Sequence, residues 1–173
     1  MVLVDNVNLW KTLSLKNYKV TYTGFTNEID DLVKTIDDYD ENNIFSNLSA
    51  LLNSKMPPGS VIMESEKYII AFVDHFGCYP LYFSNIDNFF VSNSARNIRE
   101  YENNKFNFNW SSDSINEFVM SGYVTGSDTL IKEINKMQSG EFLIYKKQSK
   151  SLELDRYYRY MPNPDNSKSD EYW

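Results

Sequence analysis

Apolar and polar positions change period several times along this chain, and each change marks an element. From Tyr18 to Thr23 the sequence alternates Tyr-Lys-Val-Thr-Tyr-Thr, a period of two that predicts a strand with one solvated face. Residues 1–17 are weakly patterned, with Trp10, Leu13 and Leu15 as anchors for a single strand. Gly24 breaks the alternation. Thr26 or Asn27 then offers a helix cap, with Glu28, Asp30 and Asp31 in the first turn, where the helix dipole favours negative charge. Ile29, Leu32, Val33 and Ile36 recur at i, i+3, i+4 and i+7, one buried stripe. A second helix carries Ile44, Phe45, Leu48, Leu51 and Leu52 on one face, and Met56-Pro57-Pro58-Gly59 closes it.

Strands are predicted at Ser60–Glu64 and Tyr68–Val73, joined by the charged turn Ser65-Glu66-Lys67. Ile69 to Val73 run without alternation, which predicts a strand covered on both faces. Leu81–Phe83 and Phe89–Ser92 form a hairpin closed by Asn85-Ile86-Asp87-Asn88. A short helix fits Ala95–Tyr101. Ser112 to Asn116 supplies cap residues, and Ser114 with Glu117 reads as a capping box for a helix through Met120. Gly122 and Gly126 are turn points, and Glu141–Lys146 with Leu152–Tyr160 reads as a last hairpin. Residues 1–160 form one domain on this reading. Residues 161–173, polar and proline-containing, read as a linker or tail toward a missing domain.

At 173 residues, with 42% hydrophobic and 16% aromatic positions, the chain suits one globular domain with its own core. A net charge of −7, with no basic cluster interleaved with aromatics, argues against nucleic acid or an anionic membrane as partner. No run approaches the roughly 18 apolar residues of a membrane span, and the first residues lack a signal-peptide pattern. One cysteine, Cys78, fits a reducing compartment, so the expected location is the cytoplasm.

The stretch Asp74-His75-Phe76-Gly77-Cys78-Tyr79-Pro80-Leu81-Tyr82 lies between two predicted strands. Asp suits the first position of a type I turn because its carboxylate accepts backbone N–H groups two residues on, and Gly suits the fourth. This D-x-x-G-x-x-P-L-Y pattern, carried by Asp74, Gly77, Pro80, Leu81 and Tyr82, resembles the glutaminase domain of asparagine synthetases and their relatives. Other segments resemble that domain in the same order: the strand, Gly24, Asn27 and helix; Phe89 to Ser94; Phe118 to Val124; Thr129-Leu130-Ile131 with Ile134 and Gly140; and the exit Asp155-Arg156-Tyr157-Tyr158. The resemblance spans about residues 18–160. It implies an α+β fold, the four-layer αββα sandwich of N-terminal-nucleophile hydrolases, and class II glutamine amidotransferase ancestry.

In the resembled family an N-terminal cysteine releases ammonia from glutamine, with its own α-amino group as base. Here the sequence begins Met1-Val2-Leu3-Val4, which offers no such nucleophile. The family's oxyanion hole is an Asn followed by Gly; Thr23 stands at the Asn position and only Gly24 matches, so the pair reads as vestigial. Only 22 residues precede Thr23, too few for the nucleophile strand and the Arg loop that holds the glutamine carboxylate. No Ser-Asp-x-Glu segment for the glutamine amino group lies between Gly24 and Gly59. The expectation is a degenerate, truncated domain with no catalytic residues.

Other chemistry is poorly supplied by the remaining residues. Cys78 beside His75 and Asp74 is the one alternative nucleophile, and it reads more readily as a small half-buried hydrophobe. Asp37-Asp38-Tyr39-Asp40-Glu41 lacks the spacing of a calcium loop and reads as a solvated helix end. No set of three or four convergent ligands predicts a metal, and no cofactor is implied. Ser121 to Asp128 lacks the adjacent glycines of the Ser-Gly-Gly-x-Asp-Ser loop of ATP-pyrophosphatases. Phe106–Trp110 reads as core and turn, not as a stacking platform. The expected function is support of an asparagine synthetase-type ATP-dependent amide ligase. Its partner would be a synthetase domain of the ATP-pyrophosphatase type, in cis or in trans, with homo-oligomerisation as a further option. The alternatives are a stand-alone binding or regulatory scaffold, and an amidohydrolase using Cys78.

Overall fold

A computed structural model describes residues 1–5, 9–39, 44–102 and 107–161. The predicted tail from residue 162 onward, with Asp40, Glu41 and Phe106, lies outside these residues. The chain forms β1 (Val2–Leu3), β2 (Lys11–Ser14), β3 (Lys19–Gly24), α1 (Thr26–Asp37), α2 (Ile44–Lys55), β4 (Gly59–Glu64) and β5 (Tyr68–Val73). There follow β6 (Tyr82–Asn85), β7 (Phe89–Ser92), α3 (Ala95–Glu102), α4 (Ser112–Ser121), β8 (Asn135–Lys136), β9 (Glu141–Lys146) and β10 (Ser151–Arg156).

The strands make two sheets, one of six in the order β10-β9-β5-β4-β3-β2 and one of four in the order β1-β7-β6-β8. Pairing is antiparallel except for β1 on β7. Strand alternation sorts the core into layers. From β4 and β5, Val61, Met63, Ile70 and Phe72 join Ile29, Leu32, Val33 and Ile36 of α1 and Leu48, Leu51 and Leu52 of α2. The other face of the same strands, Ile62, Ile69, Ala71 and Val73, packs on Leu81, Phe83, Phe89 and Val91 around the small sheet. On that sheet's outer side Phe90 meets Ile98 of α3, with Ile131 and Ile134. The order is therefore helices, sheet, sheet, helix, as expected, and β5 is covered on both faces as its unbroken apolar run predicts. Each fully buried Ile, Leu or Phe contributes roughly 1.5–3 kcal/mol of apolar burial.

Several local expectations are corrected. The first residues supply two strands instead of one, and they join different sheets; pairing of Val2 with Val91 is non-local and leaves no local pattern. The residue at the α1 N-cap is Phe25, without a side-chain cap bond, because β3 runs straight into the helix and the Phe25 N–H donates to the Pro58 carbonyl. For α4 the cap is Ser111, whose hydroxyl accepts from the Ser114 N–H; Glu117 instead accepts from the N–H and hydroxyl of Thr125. Asp37 is buried, not a solvated end: its carboxylate accepts from the N–H groups of Lys16 and Asn17 and so holds the β2–β3 turn against α1. The last strand stops at Arg156, where the N–H groups of Tyr157 and Tyr158 turn inward to the Gly140 carbonyl.

Candidate functional site

Five strand ends of the large sheet meet at one rim: Thr23-Gly24, Gly59-Ser60, Val73-Asp74, Gly140-Glu141 and Arg156-Tyr157. The predicted turn and the predicted oxyanion position come together there through Gly59. Gly59 pairs with Gly24 across β3 and β4. Its N–H donates to Asp74 Oδ2 at 2.6 Å, and the Asp74 N–H donates to its carbonyl at 3.0 Å.

Asp74 organises the turn as its sequence position implies. Its other oxygen, Oδ1, accepts from the N–H groups of Phe76 at 2.7 Å, Gly77 at 2.6 Å and Cys78 at 3.3 Å. Its carbonyl accepts from Gly77 and Gly140. The residue is 1% exposed, so the cost of burying a carboxylate is offset by four backbone donors. Gly77 takes φ +66, the left-handed conformation the turn requires. Leu81 is buried in the inter-sheet core, Pro80 is half-buried, and Tyr82 is half-buried against the outer cluster of Phe90, Ile98, Ile131 and Ile134.

Thr23 is buried opposite Ser60. Gly24 takes φ +119, and a Cβ there would run into the Pro58 carbonyl oxygen and the Gly59 Cα. The backbone that the resemblance makes an oxyanion donor is thus packed against the 58–59 segment. Other polar groups of the rim are engaged as well, whereas the buried His75 Nε2 has no hydrogen-bond partner among the described residues. The Ser60 hydroxyl donates to the Tyr79 carbonyl, and the Tyr157 hydroxyl to the Val73 carbonyl at 2.6 Å. Arg156 donates to Glu141 at 2.7 Å. Burial, with the Asp74 charge behind it, pushes the Tyr157 phenol well above its ordinary value.

Cys78 is exposed, a correction to the half-buried hydrophobe expected. Desolvation, then the Asp74 charge and a hydrogen bond to it, pushes the thiol above its ordinary value. That is the wrong direction for a nucleophile, which works as thiolate. His75 lies edge-on to Tyr158 at 4.2 Å and to Tyr157 at 5.5 Å between ring centroids.

Met1 lies far from this rim. Its amine donates to the Phe89 carbonyl at 2.7 Å and feels the charges of Glu64 and Lys147. Glu64 is the opposite end of β4 from Gly59, five residue steps and so roughly 16 Å away.

Sequence reasoning missed a second region. A cleft of about 810 Å³ opens outside the small sheet between α3, α4 and residues 122–131. Trp110 lines it at 55% exposure, which corrects the reading of that residue as core and turn, while Phe108 packs against the outer core as expected. Arg99, 5.2 Å from the Trp110 ring centroid, was the available signal: one more cation on a short amphipathic helix. Among the described residues no group of three or more His, Cys, Asp or Glu side chains could hold a metal ion. No described helix is long and apolar enough to cross a membrane.

The sequence profile of the glutamine amidotransferase domain matches residues 60–158, from Ser60 at this rim to Tyr158 beside His75. The chain belongs to the glutamine amidotransferase domain family. Among solved structures it is similar to the allosteric regulatory enzyme of purine biosynthesis, at 12% identity and TM-score 0.48, over 87% of this chain and 31% of that one. It is also similar to glutamine phosphoribosylpyrophosphate amidotransferase from B. subtilis complexed with ADP and GMP, at 12% identity and TM-score 0.46, over 86% and 31%. The chain thus spans about a third of those proteins. No curated protein matches it.

Proposed function

We propose that this glutamine amidotransferase-like domain is non-catalytic and serves in the cytoplasm as the supporting domain of an asparagine synthetase-type ATP-dependent amide ligase. One observation carries the first half. At the rim where family chemistry would occur, Asp74, Ser60 and Tyr157 are bonded to the fold itself, and the buried His75 Nε2 alone has no hydrogen-bond partner among the described residues. Asp74 binds four backbone N–H groups, Ser60 binds Tyr79, Tyr157 binds Val73, and desolvation with the Asp74 charge pushes the Cys78 thiol above its ordinary value. Thr23 in place of Asn, with Gly24 packed on the 58–59 backbone, leaves the oxyanion position vestigial. Removing one oxyanion donor alone typically costs about 10²–10³ in rate.

The second half rests on the ordered resemblance from Thr23 through the turn to Asp155–Tyr158. The partner is a synthetase domain of the ATP-pyrophosphatase type, in cis or in trans. Assaying ammonia release from glutamine with the purified chain should give no signal above buffer. Adding the chain to the partner ligase should yield a complex and alter its turnover with free ammonia or amine. Glutamine hydrolysis that disappears in Cys78→Ala would overturn the non-catalytic assignment. Failure both to associate and to change turnover would overturn the supporting role. The stand-alone binding scaffold remains the second reading, favoured by the outer cleft.

A further inference from the structure

The outer cleft has a composition unlike the rest of the surface. The chain carries a net charge of −7, yet here Arg96, Arg99 and Lys136 face the acidic pair Glu100 and Asp128. Glu100 is taken up by Arg96 at 2.6 Å on α3. Lys136 has no ion-pair partner among the described residues. The Arg99 guanidinium is directed toward Trp110 at 5.2 Å, a cation–π contact that holds both side chains in place.

Two flat side chains, Trp110 at 55% and Tyr123 at 62% exposure, line the same concavity. Exposed aromatic residues scattered singly need no explanation. Two converging with unneutralised cations on a cleft of about 810 Å³ do, because that volume falls within the range of small-molecule sites, about 300–1,000 Å³. Arg binds phosphate through a planar fork and Lys as a point charge, so together they suit a compact dianion. An aromatic wall suits a flat ring, which stacks on its face.

We propose that this cleft binds a mononucleotide-sized ligand, with its flat ring against Trp110 and Tyr123 and its phosphate between Arg99 and Lys136. The cleft lies on the small sheet's outer layer, a different part of the fold from the Gly24–Asp74 rim. The assignment therefore stands whether or not the domain serves a ligase.

Titration calorimetry of the full chain with AMP tests it, with adenosine and inorganic phosphate as separate arms. AMP should bind saturably with a sub-millimolar Kd, and adenosine and phosphate each at least about ten-fold more weakly. Arg99→Gln, Lys136→Gln and Trp110→Ala should each weaken AMP by about ten-fold or more, and Trp110→Phe by less. All three side chains are exposed, so thermal melting should match the parent; Trp110→Phe keeps the stacking test open if the alanine variant does not fold. Absence of AMP binding at low-millimolar concentration would overturn the proposal. So would adenosine binding as tightly as AMP, since the cations would then be idle, or phosphate doing so, since the rings would be. AMP affinity unchanged in both Arg99→Gln and Trp110→Ala would overturn it too.

Discussion

Asp74 is the residue whose removal tests the structural logic most directly. It is 1% exposed and receives backbone N–H groups from Gly59 at 2.6 Å, Phe76 at 2.7 Å, Gly77 at 2.6 Å and Cys78 at 3.3 Å. Three of these distances are those of strong charge-assisted bonds, worth about 1.5–3 kcal/mol each, whereas neutral ones contribute about 0.5–1.5 kcal/mol. Asp74→Asn keeps shape and volume. Its carbonyl oxygen retains the turn donors as a neutral acceptor, but its amide then faces the Gly59 N–H donor to donor. Halving two or three bonds and losing one gives an expected destabilisation of about 3–4 kcal/mol. Asp74→Ala strands all four N–H groups and should cost about 5 kcal/mol or more, comparable to the whole stability of a small domain. Urea unfolding followed by circular dichroism measures both, with Glu100→Gln as control. That carboxylate belongs to an exposed pair with Arg96 and should shift stability by under about 1 kcal/mol. An Asp74→Asn variant within about 1 kcal/mol of the parent would refute the claim that this carboxylate ties the rim together.

Other consequences can be checked alongside. Gly24→Ala should destabilise by about 3 kcal/mol or more, because its Cβ meets fixed backbone at Pro58 and Gly59; Gly126→Ala, with open space around it, should cost only the left-handed penalty of about 1–2 kcal/mol in the same urea series. Tyr22, whose hydroxyl donates to Asp30 at 2.6 Å, is raised to about 12 by burial first and Asp30 second. Its folded value lies above its ordinary one of 10.0, so its stability contribution is complete below pH ~10 and is lost as pH rises toward 12, roughly 2–3 kcal/mol across the window. The urea midpoint of the parent should therefore fall relative to that of Tyr22→Phe as pH rises through that window. Alkylation of Cys78 by iodoacetamide should titrate above the pH of a free thiol, since desolvation and Asp74 both raise its pKa; a midpoint below that of free cysteine would mark an activated thiol.

Much of this architecture was legible along the chain because its causes are local. The stripe Ile29, Leu32, Val33 and Ile36 needs only helical periodicity to declare its buried face. The unbroken run Ile69–Val73 says by itself that β5 is covered on both sides. Asp74 and Gly77 at turn spacing carry their geometry with them, since an Asp reaches only N–H groups a few residues on. What the sequence could not express is which distant backbones these groups would meet. That Asp74 also takes the Gly59 N–H, that Gly24 closes on Pro58, and that Asp37 is drawn inside by Lys16 and Asn17 all depend on contacts between segments 15 or more residues apart. The same holds for the outer cleft. Arg99, Trp110, Tyr123 and Lys136 come from four separate stretches with no shared period, and only the placing of α3 and α4 beside the small sheet, of which β8 is an edge strand, makes them neighbours.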